Sequence, residues 1–305
     1  MGYLKNRSEF LFIYDVKDAN PNGDPLDENK PRVDEETGQV IVTDVRLKRT
    51  IRDYLATVKG LDVFIIEMRD GEGNLRTKED RTADFKDDPN LILEKCVDMR
   101  LFGATTAIKG KTITWTGPVQ FKFGRSLHKI DGPVLIKGTT VMPSQEGKKQ
   151  GTFREEWIVP YALIAFHGVA NEYAAKETHL TEDDIKLMVE AMWGGTRDLI
   201  TRSKFGQMSR LLLRIVYKEG SDFYIGELDK LVRWTPDDGL REEQVRDITE
   251  GTLEVGDLLD AIEKHQDKID CVETAVHERL ETKPQIIEGF REKLGEDRVK
   301  ILGLS

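Results

Sequence analysis

The fold is decided by FLFIYDV at residues 10–16, followed by DANPNGDP at residues 18–25 and TDVRLKRTIRDYL at residues 43–55. The first segment is rich in aromatic and β-branched residues, which favours a strand. The Asn, Gly, Pro and Asp residues of the second segment are typical of turns. The three segments therefore predict a strand, a rigid polar loop and a helix.

The predicted helix has a packing face and a cationic face. Thr43 is a good N-cap, and apolar residues recur at helical spacing at Leu47, Ile51, Tyr54, Leu55 and Val58. Basic residues gather on the other side, namely Lys48, Arg49 and Arg52, with Arg46 at the flank. Unpaired N–H groups at a helix N-terminus favour an anion, which makes phosphate the expected ligand. For this helix alone, a solvated Lys/Arg face is an equally good interpretation.

Composition sets the class of protein. With 305 residues, 38% hydrophobic and 33% charged, the sequence predicts a soluble globular protein of one elaborated domain or two. It has no apolar run near the roughly 18 residues of a membrane span, and its N-terminus lacks a secretory pattern, so we expect a cytoplasmic protein. Cys96 and Cys271 are isolated, and we expect neither a disulfide, a metal site nor a cofactor.

The net charge of −10 is unevenly distributed along the chain. Residues 236–305 contain 19 acidic and 10 basic side chains, and residues 1–235 carry a net charge of only about −1. A nucleic-acid groove requires local rather than global basicity. The acidic balance therefore does not exclude a nucleic-acid ligand.

The first half of the chain predicts further strands and an insertion. We expect a strand over 61–67, a long exposed insertion over about 69–90, and a helix over 90–102 that Gly103 closes. Strands are predicted over 112–116 and 119–123. The triplet Gly124-Arg125-Ser126 then combines a flexible backbone, a guanidinium and a hydroxyl, which suits phosphate.

The second half predicts an excursion and a helical tail. Residues 134–136 and 157–159 are expected to be two arms of one extension, with Met142 and Phe153 as the large apolar groups of its tip. Strands are predicted over 161–168 and 209–217, and a capping box at 181–184 begins a helix. A second group of cations and hydroxyls lies at 201–204. The tail from about residue 237 has helical spacing.

The sequence contains no legible catalytic constellation. The segment 109–112 resembles the end of a P-loop, but Thr105 occupies the first glycine position. Residues 18–23 match half of a calcium loop, but Asn29 stands where a bidentate Glu is required. The aspartates near the N-terminus could hold magnesium for RNA cleavage, although turns and helix caps explain most of them more simply.

Three motifs in order carry a family resemblance. NPNGDP at 20–25, TDVRLKRTIR at 43–52 and GPVQFKFGRSL at 117–127 resemble the backbone subunit of the type I CRISPR Cascade. This is the seventh Cas protein family of the RAMP superfamily, and the likeness is greatest to subtype I-B and close to I-C. It extends to about Tyr217.

The resemblance implies an α+β fold with an RRM-like, ferredoxin-like βαββαβ palm over residues 1–235. It implies a finger insertion at about 69–90 and a thumb at about 132–160. Residues 236–305 are expected to be an acidic, mainly helical region packed on the palm. The implied partners are crRNA, target DNA through guide pairing, further copies of the chain and other Cascade subunits.

The implied mechanism is binding to the RNA backbone, because spacer sequences vary and contacts must be independent of base. The implied RNA-binding residues are Asn20, Asn22, Arg46, Lys48, Arg49, Arg52, Gln120, Lys122, Gly124, Arg125, Ser126, Met142, Arg202, Ser203 and Lys204. We expect no catalytic residue. The competing hypothesis is a metal-dependent endoribonuclease that uses Asp24 or Asp34, and a third is a homo-oligomeric scaffold without nucleic acid.

Overall fold

The computed structural model describes residues 2–108, 111–139 and 153–304. These residues form eight α-helices: α1 (Asp44–Thr57), α2 (Lys78–Asp84), α3 (Pro89–Lys95), α4 (Val97–Phe102), α5 (Glu172–Thr178), α6 (Glu182–Arg197), α7 (Gly256–Lys264) and α8 (Ile286–Leu294). In the same ranges no helix is both long and apolar enough to cross a membrane.

The described residues also form 16 strands. They are β1 (Ser8–Ala19), β2 (Gly23–Asp24), β3 (Lys30–Pro31), β4 (Ile41–Val42), β5 (Gly103–Ile108), β6 (Lys111–Thr116), β7 (Val119–Phe121), β8 (Gly124–Ser126), β9 (Val134–Thr139), β10 (Phe153–Ala170), β11 (Gln207–Tyr217), β12 (Arg233–Pro236), β13 (Gly251–Glu254), β14 (Ile269–Val276), β15 (Thr282–Lys283) and β16 (Val299–Ile301).

The main sheet is centred on β1. Its order is β16-β14-β11-β1-β10-β8-β4, and β7 and β9 also pair with β10. β1 is antiparallel to both neighbours, and Phe12 lies opposite Phe166 on one side and Leu212 on the other. The stretch FLFIYDV thus forms the strand that its sequence predicts, and this strand lies in the middle of the sheet.

Alternation along β1 gives the sheet two buried faces. Phe10, Phe12 and Tyr14 pack into a core with residues of α1 and α6. Leu11 and Ile13 pack into a second core with residues of β12 to β14, α7 and α8. Each buried side chain of this size contributes about 1.5–3 kcal/mol of hydrophobic stabilisation. Both faces of the central strands are therefore covered.

A third, smaller cluster lies beneath the predicted finger insertion. Phe64, Phe85 and Met99 are buried there, together with residues of α3, and the hairpin β5–β6 packs against them. Phe85 therefore anchors the segment 69–90, which also contains α2. The insertion is more ordered than its sparse apolar residues predict.

Three predicted elements differ from the structure. Residues 61–67 lie outside the strands, because the buried Asp98 carboxylate accepts the N–H groups of Phe64 and Ile65 in place of a ladder partner. The helix predicted over 90–102 is interrupted at Cys96, whose backbone is extended. The strand predicted over 119–123 ends at Phe121, and β8 is separate from it.

The C-terminal region, predicted to be mainly helical, combines helices with strands. This region contains β13, β14, β15 and β16 as well as α7 and α8. β14 pairs with β11 along its length, and β16 extends the same sheet. The main sheet therefore crosses the predicted boundary at residue 235.

Other local predictions are confirmed. The two arms at 134–136 and 157–159 pair as β9 and β10, with Leu135 opposite Trp157. Thr43 caps α1, and the predicted capping box at Thr181 is present in α6. Met142 lies outside the described residues, and so does most of the tip that carries it.

Candidate nucleic-acid interface

The loop after β1 is fixed to the start of α1. Thr43 is the N-cap residue, and its backbone N–H donates to Asn22 Oδ1 at 2.8 Å. The Thr43 hydroxyl donates to the same oxygen at 3.0 Å. Because both bonds use Oδ1, the amide nitrogen of Asn22 is turned away from Thr43.

Asn20 and Gly23 close the same loop over the short hairpin β2–β3. Asn20 Nδ2 donates to the carbonyl of Asn29 at 2.6 Å. A Cβ on Gly23 would lie 2.4 Å from that carbonyl oxygen, so a larger residue does not fit without a shift. The Asn-Pro-Asn-Gly motif thus has a structural role in addition to its predicted contact with RNA.

A first cleft of about 650 Å³ opens between α1 and the segments 64–68 and 75–81. Its walls include apolar side chains such as Ile66, Met68 and Leu75. Glu67 is its single acidic lining residue. The basic lining residues are Arg32, Arg46, Arg49, Arg52, Arg76, Lys78 and Arg81. The cleft therefore suits an anionic ligand with apolar parts.

A second cleft of about 480 Å³ lies on the other side of the same loop. It is lined by Asn20, Ser203 and Lys204, and by residues 154–157 of β10 at the base of the predicted thumb. Asn22, Gly23 and Arg46 line both clefts. The two clefts therefore adjoin at the N-terminus of α1.

Arg46 stands where the clefts meet. One terminal nitrogen of its guanidinium donates to the Thr50 hydroxyl at 2.9 Å. Its Nε is buried and has no hydrogen-bond partner among the described residues. Burial lowers the pKa of Arg46, and the smaller effects of Asp53 and Tyr14 act in the other direction. An anion in either cleft would stabilise this cation.

Lys204 is a second partly buried cation, and burial disfavours its charged form as it does that of Arg46. Its Nζ donates to the main-chain oxygen of Asn20 at 2.6 Å. Burial, and after it the charges of Arg46 and Arg32, lower the pKa of Lys204 to about 8. Lys204 therefore shares the second cleft with the cation Arg46, and it also senses the charge of Arg32 in the wall of the first cleft.

The other predicted cations of α1 have different environments. Lys48 is buried, pairs with Asp44 at 3.0 Å and donates to Gln120 Oε1 at 3.0 Å. Arg49 pairs with Asp53 at 2.8 Å, but its side chain remains 46% exposed. Of these two, Arg49 is the one that faces a cleft.

Arg52 lines the first cleft, but a carboxylate neutralises its charge. Its Nε lies 2.9 Å from Asp98 Oδ2, and Asp98 is fully buried. Arg52 also stacks over the ring of Phe102 at 5.2 Å. These contacts give Arg52 a structural role in positioning the cleft wall.

The structure does not bring residues 120–126 into either cleft. Lys122 pairs with Glu227 at 3.2 Å, and Arg125 pairs with Asp34 at 2.8 Å. Ser126 is buried and donates to the carbonyl of His128. A Cβ on Gly124 would lie 2.4 Å from the Phe166 ring, so packing accounts for this glycine.

Of the predicted RNA-binding residues Arg202, Ser203 and Lys204, the last two line the second cleft. The carbonyl of Ser203 accepts from the N–H of Asn20 at 2.8 Å, and this bond fixes the segment to the end of β1. Arg202 does not line the cleft, and it lies 3.4 Å from Glu156 with an exposed side chain. Its predicted contact with RNA stays a prediction.

Sequence reasoning missed several cleft residues. Arg32 follows the turn-rich loop and belongs to no helical or strand-like repeat of basic residues. Arg76 and Lys78 lie in the insertion over 69–90, for which the sequence predicts only solvent exposure. Trp157 lines the second cleft and lies over Lys30 Nζ at 5.5 Å. The turn signals before Arg32 were the available clue to its position.

The carboxylates of the competing endoribonuclease hypothesis are paired with arginines. Asp24 lies 3.4 Å from Arg32, and Asp34 lies 2.8 Å from Arg125. The hydrogen bond from Arg125 lowers the pKa of Asp34. Within the described ranges, no group of three or more His, Cys, Asp or Glu side chains is placed to hold one metal ion.

The fold and the clefts define an α+β protein with a groove suited to anions, and comparison with known proteins adds the family. The family described as "CRISPR-associated protein Cas7" matches residues 6–256. A protein of that description from Haloferax volcanii is 31% identical over 306 aligned positions, covering 90% of this chain and 88% of the relative. The chain belongs to the Cas7 family.

Solved structures share the fold. A chain described as "CRISPR RNA-guided surveillance complex" has a TM-score of 0.54 at 13% identity and covers 90% of this chain and 94% of its own length. Another, described as "CRISPR RNA-guided surveillance complex, pre-nicking", has a TM-score of 0.53 at 12% identity, with coverages of 90% and 95%. The family predicted from the three motifs is confirmed, and the subtype stays a prediction.

Proposed function

We propose that this chain is the crRNA-binding backbone subunit of a type I CRISPR Cascade complex, of a subtype similar to I-B, which acts in the cytoplasm in antiviral defence. Copies of the chain line up along one guide RNA and present it for pairing with target DNA, in contact with other Cascade subunits. The observation that carries the proposal is the junction of two cationic clefts at Arg46.

We also propose that the core is RRM-like. A βαββαβ unit is formed in chain order by β1, α1, the pair β7 and β8, β10, α6 and β11. In the sheet, β1 lies between β10 and β11. RRM domains stack bases on an exposed sheet face. Here both faces are covered, which supports a path for RNA along the clefts instead.

The proposed binding does not depend on base identity. Arginine and lysine side chains and the Asn22 amide are suited to phosphate oxygens, which carry no sequence information. The apolar wall of the first cleft suits sugars and base edges of any sequence. The proposed role is binding without cleavage, which the ion pairs of Asp24 with Arg32 and of Asp34 with Arg125 support.

The first test compares two double variants in single-stranded RNA binding across a salt series. Arg46→Ala/Arg49→Ala removes two cleft cations and should weaken binding of every guide sequence about tenfold or more. It should also reduce the salt slope by about 1.4, at roughly 0.7 per phosphate contact. Fluorescence anisotropy with labelled RNA measures both quantities.

The matched control is Lys122→Ala/Arg125→Ala. It also removes two positive charges, but these belong to ion pairs at the surface outside the clefts. Its slope and affinity should stay near those of the wild type. Equal losses in the two double variants would mean that RNA follows general positive charge, and the proposed groove would be rejected.

A further inference from the structure

Arg32 is attached to the main chain of the turn-rich loop after β1. It follows β3 and lines the first cleft with a side chain that is 28% exposed. Its Nη1 donates to the carbonyl oxygens of Asn22 and Gly23 at 3.2 and 2.7 Å. Its Nη2 lies 3.4 Å from Asp24 Oδ2. One guanidinium thus contacts three consecutive residues of the NPNGDP motif.

The backbone of Arg32 fixes the place of this guanidinium. Its N–H donates to the Asn22 carbonyl at 3.4 Å, and its carbonyl accepts from the N–H of Ile41 in β4 at 2.9 Å. β4 is the last strand at one end of the main sheet. Arg32 therefore connects the loop to the edge of the sheet through protein atoms alone.

Asn22 is consequently held at both ends. Arg32 binds its main-chain oxygen, and the N–H and hydroxyl of Thr43 bind its side-chain oxygen. A backbone N–H can only donate, so the amide atom that faces Thr43 must be the oxygen. The Nδ2 group of Asn22 is then the donor that remains for a ligand, and Asn22 lines both clefts.

The contacts of Arg32 depend on the shape of its side chain more than on its charge. A guanidinium presents several N–H donors in one rigid plane, whereas a lysine ammonium is a compact charge on a flexible stem. Asp24 also offsets the positive charge of Arg32. The guanidinium is therefore better suited to orienting the loop than to attracting an anion.

We propose that Arg32 is a positioning residue, which orients Asn22 so that the Asn22 amide donates to the guide RNA where the two clefts meet. This inference rests on the proposed function and adds a neutral donor, with its support, to the cations of the clefts. Because Asn22 is uncharged, its contact contributes affinity without the release of a counterion. The contribution of Arg32 must then disappear when the Asn22 amide is removed.

The test is a double-mutant cycle, with RNA affinity measured by anisotropy and folding checked by circular dichroism. Arg32→Lys keeps the charge but cannot span the two carbonyls, so it should weaken RNA binding about fivefold and leave the salt slope unchanged. Asn22→Ala should lose at least as much. The double variant Asn22→Ala/Arg32→Lys should bind no more weakly than Asn22→Ala alone, because the group that Arg32 orients is then absent.

The control cycle combines Asn22→Ala with Lys78→Ala, which lies in the wall of the first cleft formed by residues 75–81. These two losses should add, because Lys78 does not contact the loop and acts independently of Asn22. Additive losses in the Arg32 cycle as well would mean that Arg32 contacts the RNA directly, and they overturn the inference. Wild-type affinity in Arg32→Lys overturns it too.

A second measurement uses the wild-type chain alone. The side-chain amide signal of Asn22 in a heteronuclear NMR spectrum should shift when single-stranded RNA is added, whereas that of Asn171, which caps α5, should not. An unshifted Asn22 signal at saturating RNA overturns the inference. Failure of the proposed function is distinct from these outcomes, because RNA binding would then be insensitive to Arg46→Ala/Arg49→Ala.

Discussion

Asp98 illustrates how a single buried residue shapes the first cleft. Its carboxylate accepts from the N–H groups of Phe64 and Ile65 at 2.7 and 3.1 Å, and pairs with Arg52 at 2.9 Å. It thereby joins α1, α4 and the irregular segment that forms one wall. This carboxylate has no role in the proposed RNA contact, yet it determines where that wall lies.

The contribution of Asp98 is testable by Asp98→Asn. The substitution keeps the side-chain shape but leaves Arg52 buried without a counter-charge, which should lower the free energy of unfolding by about 3 kcal/mol. Urea denaturation followed by circular dichroism measures this. The control is Asp53→Asn, where the pair with Arg49 is partly exposed at the surface and the loss should be under about 1 kcal/mol. Equal losses would contradict the role given to Asp98.

Individual side chains are where the sequence was least informative. The helical spacing placed Lys48, Arg49 and Arg52 on one cationic face. Two of them are instead neutralised by Asp44 and Asp98, and Lys48 also meets Gln120 from β7. Asp98 and Gln120 are 46 and 72 residues away from their partners, so their proximity is a tertiary property that periodicity along one helix does not encode.

At the scale of elements, the start of α1 joins the turn-rich loop to the clefts. Asn22 accepts two hydrogen bonds from Thr43 and lines both clefts. The strand–loop–helix order was predictable because each segment has a strong local preference. The irregular path of residues 61–67 was not predictable, because the buried Asp98 carboxylate accepts their backbone N–H groups in place of a neighbouring strand.

The variant Asn22→Ala should distinguish a role of this junction in RNA binding from a role in helix capping alone. Loss of the two bonds to Thr43 should cost about 1–2 kcal/mol of folding stability and should also weaken RNA binding. Thr181→Ala removes the cap of α6, for which no cleft contact occurs among the described residues, and should cost a similar stability without changing RNA affinity. Thermal unfolding and anisotropy give the two readouts. Unchanged affinity in Asn22→Ala would remove the junction from the interface.

At the scale of the whole molecule, the sheet is a layer between two others. The α1 and α6 layer was predictable from the helical stripes on either side of strong strands. The opposite layer was not, because the tail has helical spacing at 258–262 but contributes β14 and β16 to the sheet itself. Pairing with β11, more than 50 residues earlier, decides the conformation of that segment.

The central claim is that RNA lies in the two clefts that adjoin at Arg46, and lysine footprinting tests it most directly. The chain is acetylated with and without a short single-stranded RNA, and the extent of labelling at each lysine is measured by mass spectrometry. The account predicts that RNA protects Lys78 of the first cleft and Lys204 of the second, while the exposed Lys122 and Lys186 remain equally reactive. Protection of Lys122 and Lys186 with unchanged labelling of Lys78 and Lys204 would contradict it.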